Sequence, residues 1–500
     1  MQRTPRSRAR LGAYALFTGA LVLAAAAHGR EAYAPTTTAA PAPPGGTELE
    51  RRLEALAEEN RELRSTLEAL RDEVRAVRDE AAAAREAAAR NAAGTSAQPT
   101  GPRFQLLDIS ADVITGAAVS GAGDGAFGLL QGGAHDPVQR GFSIPQVELA
   151  LRGAVDPFFT GEVFLVGSLD EEGETVLELE EAVARSTALP FGLEQHGLQL
   201  EVGQMFTEFG RLNPRHPHSW LFADQPVVLT RFFGGDGLRN PGVRLGWLLP
   251  LPFYAELHLG AQTARGETAV SFLANEEVFE ERPIGGRPFR EVDPSNANRI
   301  LYLGRLVAGG DLSDTWSAQA GLSALRGPNA TGPDGRTLIV GADFVAKWRP
   351  LRTDKGWPFV IIEGEVLRRS YRADAFRGCP EAALEEPCEA VFLPEDELRD
   401  WGAYLQGVWG FRRGFAAGLR AEWAGGSGAS LGPYAGRASD PFRSSRLRLT
   451  PLFIVQPTEY TRLRLQYAYD RTGRWLPGHD AHTLLATLEI SLGSHAAHSY

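Results

Sequence analysis

Beyond residue 30 this chain has no apolar run long enough to cross a bilayer as a helix, so any membrane span in its body must be built from strands. It has no excess of basic residues either. Its 51 Lys and Arg stand against 62 Asp and Glu, a formal net charge of −11, which argues against a nucleic-acid partner. Cysteine is nearly absent. The two that occur, Cys379 and Cys388, sit in CPEAALEEPC. A Cys-only metal site would need more thiolates and no His lies in that stretch, so in an exported chain a small loop-closing disulfide between them is expected. No GxSxG occurs, and the carboxylates are scattered along strands and loops. The chain therefore reads as a non-enzyme, and no cofactor is expected.

What is present falls into two parts, an N-terminal extension and one large β domain. Residues 1–27 read as a secretory signal peptide: Arg3, Arg6, Arg8 and Arg10, then LGAYALFTGALVLAAAA, then small residues suited to cleavage near Ala27. The alternative is an uncleaved anchor, for which an apolar run of roughly 25 Å is marginal. Residues 28–46 form a Pro/Thr/Ala linker. Over 47–93 the spacing changes. Leu49, Leu53, Leu56, Asn60, Leu63, Leu67, Leu70, Val74 and Val77 alternate steps of four and three, which predicts a coiled coil about 64 Å long. A lone amphipathic helix is the alternative. Asn60 at an a position fixes the register and leaves dimer against trimer open. Residues 94–103 are a second linker.

From 104 to 493 the period is two. Runs such as VELALRGAV, YLQGVWGF and TRLRLQYAYD place sixteen candidate strands, the first at 104–119, the second at 146–155, the fifth at 197–209 and the last at 482–493. Their connections alternate. Tight links such as Leu251-Pro252 and Arg412-Arg413 fall at one end, and the long insertions 120–145, 210–240, 265–298, 372–398 and 425–442 all fall at the other. Arg462, Arg464 and Gln466 alternate with Leu463, Leu465 and Tyr467, and Glu363 and Glu365 with apolar neighbours, as a polar lumen requires. Trp247, Trp348, Trp357, Trp401, Trp423 and Tyr469 suit interfacial girdles. The fold class expected is all-β: a 16-stranded antiparallel transmembrane β-barrel, porin-like, preceded by the signal peptide and the α-helical coiled coil. The strand HTLLATLEISLG should close it against 104–119, leaving 494–500 as a C-terminal tail.

One connection stands apart. Residues 210–240 are too long for a mere connector and carry Trp220, Phe222, Phe232 and Phe233, which would form a costly apolar patch in solvent. The loop is therefore expected to fold into the barrel and narrow the pore. Its Arg211, Arg215, Arg231 and Arg239, set against Asp224 and Asp236, would form a basic pore constriction that favours anions. The alternative is that these arginines form ion pairs with lumen carboxylates. The loop 372–398 is by contrast strongly acidic. His216 and His218, in Arg-His-Pro-His, are weak candidates for zinc with Asp224 or Asp236. Only two ligands are evident, so no metal is assigned.

The stretch LEVGQMFTEFG at 200–210 resembles the strand motif of the phosphate- and pyrophosphate-selective porin family (O and P type), with Thr207 and Glu208 where that family has a basic residue and Pro. Through HPHSWLFADQPVV, FFGGDGLRNPG and WLLPLPFYAEL the chain looks closer to outer-membrane proteins sometimes labelled zinc-regulated receptors. These resemblances imply a Gram-negative outer-membrane channel for passive diffusion of small solutes, in contact with outer-membrane lipid and assembled as a homo-oligomer, a trimer in preference to a dimer. The coiled coil would lie in the periplasm and could meet a periplasmic or cell-wall partner. Two alternatives accompany this reading: a structural tether that uses the coiled coil, and a zinc-regulated receptor or uptake protein. An energised receptor of the latter kind resembles a barrel of about 22 strands with an N-terminal plug. Here a coiled coil stands in the plug's place.

Overall fold

The structure, a computed structural model, describes residues 107–169, 173–292, 299–378, 391–431 and 436–493. The signal peptide, both linkers, the coiled coil with Asn60, the Cys379–Cys388 pair and the tail 494–500 lie outside the described residues.

Among the described residues eighteen strands form, sixteen of them in one closed antiparallel barrel. In order they are β1 (Asp108–Ser120), β2 (Gly141–Ala154), β3 (Phe159–Leu169), β4 (Thr175–Ser186), β5 (Leu198–Phe206), β6 (Arg239–Leu248), β7 (Tyr254–Thr263), β8 (Ile300–Ser313) and β9 (Trp316–Pro328). There follow β10 (Arg336–Trp348), β11 (Phe359–Ala373), β12 (Phe376–Gly378), β13 (Val391–Leu393), β14 (Asp396–Arg412), β15 (Phe415–Ser427), β16 (Arg446–Thr458), β17 (Thr461–Arg471) and β18 (Asp480–Gly493). Each barrel strand pairs with its neighbour in sequence, except that the small hairpin β12–β13 stands aside within the long connection from β11 to β14. Closure is by β1 against β18, in register from Ser110↔Gly493 to Ser120↔Thr483, as expected from the alternation of the last strand.

Alternation decides which face each residue takes. On β18 Leu484, Leu488, Ile490 and Leu492 are exposed on the outer wall, while Leu485, Thr487, Glu489 and Ser491 are buried inside. Exposed outer residues of this kind recur around the barrel, the apolar jacket that a membrane-spanning barrel needs. Trp247, Trp401 and Trp423 are exposed near strand ends, the last two stacked 6.2 Å apart. Trp357 differs from its expected place in a girdle: it packs on Phe359 beside an inner cluster. The second strand starts at Gly141 rather than 146. Pro145 cannot donate to the ladder, and the register between β1 and β2 slips there, so the strand runs on through an irregularity instead of stopping.

Connections after odd-numbered strands up to β11 are mostly long and lie at one end, here the loop end; the links 249–253, 314–315, 413–414 and 459–460 lie at the opposite, turn end. The connection 207–238, between β5 and β6, does not stand above the loop end. Its Phe209, Phe222, Phe232 and Phe233 are each no more than 1% exposed. Phe209, Trp220, Phe232 and Phe233 join Leu301, Leu303, Leu325, Ile339, Leu367 and Tyr404 of the wall in one apolar cluster. Each such aromatic contributes roughly 1.5–3 kcal/mol by leaving water. Further along, Leu221 and Phe222 reach a second cluster with Phe359, Ile361, Val408, Leu452 and Ile454.

The wall is shaped for this loop. A Cβ on Gly402 would lie 2.8 Å from the side chain of Val228, and one on Gly341 2.9 Å from the ring of Phe209. Within the loop the helix Val227–Phe233 is buried on every side, as a helix without a polar face must be. Its first free N–H, that of Val227, donates to Glu422 Oε2 of β15 at 2.7 Å. Gly234, at φ +84°, turns the chain out of it, a conformation a side chain would resist.

Candidate functional site

The inward loop is fastened by charge as well as by apolar packing. Asp224, with no exposed side-chain surface, sits 2.6 Å from Arg420 Nη2 and 2.7 Å from Arg448 Nη2. Gln466 Nε2 donates to it at 2.7 Å. Arg211 pairs with Glu363 of β11, and the Leu212 N–H donates to Glu365 at 2.9 Å. Arg464 of β17 donates to the carbonyls of Trp220 (3.2 Å) and Phe222 (3.0 Å). Arg369 donates to the carbonyl of Arg231 at 3.1 Å and lies over the ring of Phe232. Arg239, at the root of β6, pairs with Glu178 of β4. Arg211 and Asp224, two of the six residues expected at a constriction, thus tie loop to wall, and Arg239, a third, joins two strands of the wall at the loop's root. The lumen carboxylates read from the alternation are where they should be, but under the loop rather than against open water.

Two cavities flank it. At the loop end a space of about 700 Å³ is lined by Gln131, Arg231, Asp236, Arg282, Phe442 and Arg446, with Glu267, Glu277 and Glu281 also on its lining. At the turn end a space of about 360 Å³ is lined by Arg211, Arg215, Tyr254, Asp311, Gln319 and Lys347. In each, cations lack carboxylate partners. Arg231 donates to the carbonyls of Ser444 (2.7 Å) and Pro441 (2.9 Å), and Arg282 to that of Thr230 (2.9 Å). Among the described residues neither makes an ion pair, nor do Arg215 and Lys347. Burial, reinforced by Arg446, pushes Arg231 down to about 9, and burial with Arg369 pushes Arg282 to about 10. Burial and the neighbouring Arg211 lower Arg215 in the same sense. An anion in either cavity would relieve this.

His216 and His218 face a different set of acids from the one expected. Asp224 lies among arginines, and Asp236 is 3.8 Å from His135 Nε2. His216 Nδ1 is instead 2.8 Å from Glu180 Oε2 and 3.1 Å from Glu148 Oε2, and its Nε2 is 2.9 Å from Glu181 Oε2. His218 Nδ1 is 3.2 Å from Glu148 Oε2. Phe164 stacks on the His216 ring at 4.3 Å and Phe206 meets it edge-on. Burial works against an imidazolium at His216, yet Glu148 and Glu180 hold its pKa well above the usual histidine range. Adjacent strand residues normally face opposite ways. Glu180 and Glu181 both reach the histidine because the register between β3 and β4 slips, Phe164 pairing with Glu181 and Leu165 with Leu179. That slip left no signal in a single sequence.

Asp136, on the first long connection, joins two loops: its carboxylate accepts from the backbone N–H of Gly133 and of Gln225, both at 3.0 Å. Burial, and then the charge of Asp224, push its carboxyl up to about 7 against the pull of those N–H groups and Arg448. In the unfolded chain it titrates near its ordinary value of about 4. The folded state therefore holds the extra proton. The stability this provides is complete below about pH 4 and is lost as pH rises towards about 7. The heat-unfolding midpoint of the purified protein in detergent should fall between pH 5 and pH 8. Asp136→Asn should flatten that dependence; an unchanged slope in the variant would remove Asp136 from the account.

No family model matches the chain. An uncharacterized protein of Aquifex aeolicus (strain VF5) is 30% identical to it over 346 residues, 67% of this chain and 64% of that one. The chain thus spans about 64% of the length of that curated relative. Among solved structures it is similar to the anion-selective porin from Comamonas acidovorans, with TM-score 0.45 and 9% identity over 77% of this chain and 99% of that one. It is similar also to the outer membrane channel DcaP of Acinetobacter baumannii, with TM-score 0.47 and 11% identity over 77% and 97%. A third is OprB of Pseudomonas putida, at TM-score 0.44 and 10% identity over 77% and 94%. The barrel assignment rests on the chain's own strand pairing.

Proposed function

We propose that this chain is a porin-like channel of a bacterial outer membrane, passing small solutes by diffusion with a preference for anions. One observation carries the reading: inside an apolar-jacketed barrel, guanidinium and ammonium groups that make no ion pair among the described residues stand on both sides of the inward loop, Arg231 and Arg282 at the loop end, Arg215 and Lys347 at the turn end. Low-dielectric walls focus the field of such charges on whatever passes. In outer-membrane barrels long loops face outward and tight turns face the periplasm. On this reading residues 47–93, with their heptad spacing, form a coiled coil on the periplasmic side, and a tether to the envelope is its alternative role. Thr207 and Glu208, where the LEVGQMFTEFG resemblance departs from the family motif, keep the reading at anions in general rather than phosphate, and a trimer is the assembly the resemblance favours.

The test is a planar-bilayer recording on purified protein under a KCl gradient. Discrete conductance steps with a reversal potential of the anion-selective sign are expected. Absent steps, or a cation-selective sign, would defeat the proposal. The same steps should persist after deletion of 47–93; loss of envelope integrity in that strain would favour the tether.

A further inference from the structure

Buried lumen carboxylates in this barrel are typically neutralised by arginine. Asp224 has Arg420 and Arg448, Asp400 has Arg369 and Arg443, Glu489 has Arg462 and Arg464, and Asp343 has Arg305. The patch around His216 departs from this. Glu148 of β2 finds its ion-pair partners among the described residues in His216 and His218. Glu181 finds its partner in His216. Glu180, 1% exposed, has His216 and His135, with Arg239 no nearer than 4.0 Å. Its Oε1 is buried without a hydrogen-bond partner. Guanidinium can only neutralise a carboxylate, whereas imidazole can also join it in binding a metal.

The geometry matches that second use. One ligand atom from each of Glu148, Glu180 and His216 lies within 4.8 Å of the others, and Asp112, Glu148 and His218 form a second such triad that shares Glu148. His216 turns Nδ1 towards Glu148 and Glu180 while Nε2 meets Glu181, the carboxylate-to-histidine contact that fixes tautomer and ring orientation behind a metal ligand. The ring is held in place by Phe164 and Phe206.

We propose that Glu148, Glu180 and His216 form a binding site for a divalent transition-metal cation of the zinc class, with Glu181 orienting the histidine. Mixed imidazole and carboxylate donors suit such ions, and three protein ligands leave a position for water or a fourth donor. Glu148 and Glu180 belong to the wall and His216 to the inward loop, so the ion pins the loop to β2 and β4. The site is separate from both cavities and does not depend on which solute the channel passes.

The experiment uses the full-length protein in detergent, stripped with chelator and titrated with Zn²⁺ alone at fixed pH, with Co²⁺ as a spectroscopic substitute. Saturable Zn²⁺ binding is expected, with a rise in the heat-unfolding midpoint and a Co²⁺ visible spectrum characteristic of nitrogen and oxygen ligands. His216→Ala should weaken binding at least ~100-fold, and Glu181→Gln, which removes only the histidine's partner, by roughly 10–100-fold. If His216→Ala fails to fold, Glu180→Gln takes its place and should show the same loss. Absence of saturable binding by the wild-type protein, or binding unchanged in His216→Ala or Glu180→Gln, would overturn the proposal.

Discussion

Asp224→Ala should free the inward loop and raise the single-channel conductance several-fold. Asp224 is a loop residue without exposed side-chain surface, held between Arg420 and Arg448 of neighbouring strands and by Gln466. Removing the carboxylate while leaving two guanidinium groups buried is the costly half of such an arrangement, about 3–5 kcal/mol. Glu422, 2.7 Å from Arg420, and Asp470, 3.7 Å from Arg448, remain as partial partners, so the lower part of that range is expected. The barrel has its own ladder on every strand and should persist. What loses support is the segment 220–233, whose Leu221 and Phe222 reach the turn-end cluster. Bilayer recordings and heat unfolding of the variant give the two readouts, larger steps and a lowered midpoint. If both match the wild type, Asp224 does not hold the loop.

The barrel was legible from residues alone because its signal is local. Leu484, Leu488 and Ile490 against Thr487 and Glu489 state the outward and inward faces of a strand without knowledge of any other strand. The inward fold of the loop was legible for a similar reason: Phe232 and Phe233 had to be covered by something. Partners across the lumen were not legible. Arg211 and Glu363 are 152 residues apart in the chain, and alternation says only that Glu363 points inward, not which loop charge will meet it. The histidine patch was hidden further, since it needs the slip that turns Glu180 and Glu181 to the same side. The short helices within the connections, such as Asp124–Leu130 and Glu276–Glu281, were also unread; segments of one or two turns take their helicity from the walls they pack on.

Replacing Arg215 and Lys347 together by Ser should move the reversal potential towards cations and leave the heat-unfolding midpoint unchanged or slightly higher. Both line the turn-end cavity, and neither makes an ion pair among the described residues. Their loss therefore strands no carboxylate, and for Arg215, whose charge burial and Arg211 already disfavour, it removes a cost. A unit charge about 4 Å from a passing ion contributes about 1 kcal/mol in water, roughly a fivefold change in preference for each charge removed. Salt screens this, so the measurement belongs near 0.1 M, where the screening length is about 10 Å. Arg211→Ser is the contrasting variant. It lines the same cavity, but its guanidinium is committed to Glu363, whose side chain is 1% exposed. That substitution should lower the midpoint by leaving a buried carboxylate unpaired. If the Arg215 and Lys347 double variant keeps the wild-type reversal potential, these two cations do not set the channel's preference and the anion reading loses its turn-end support.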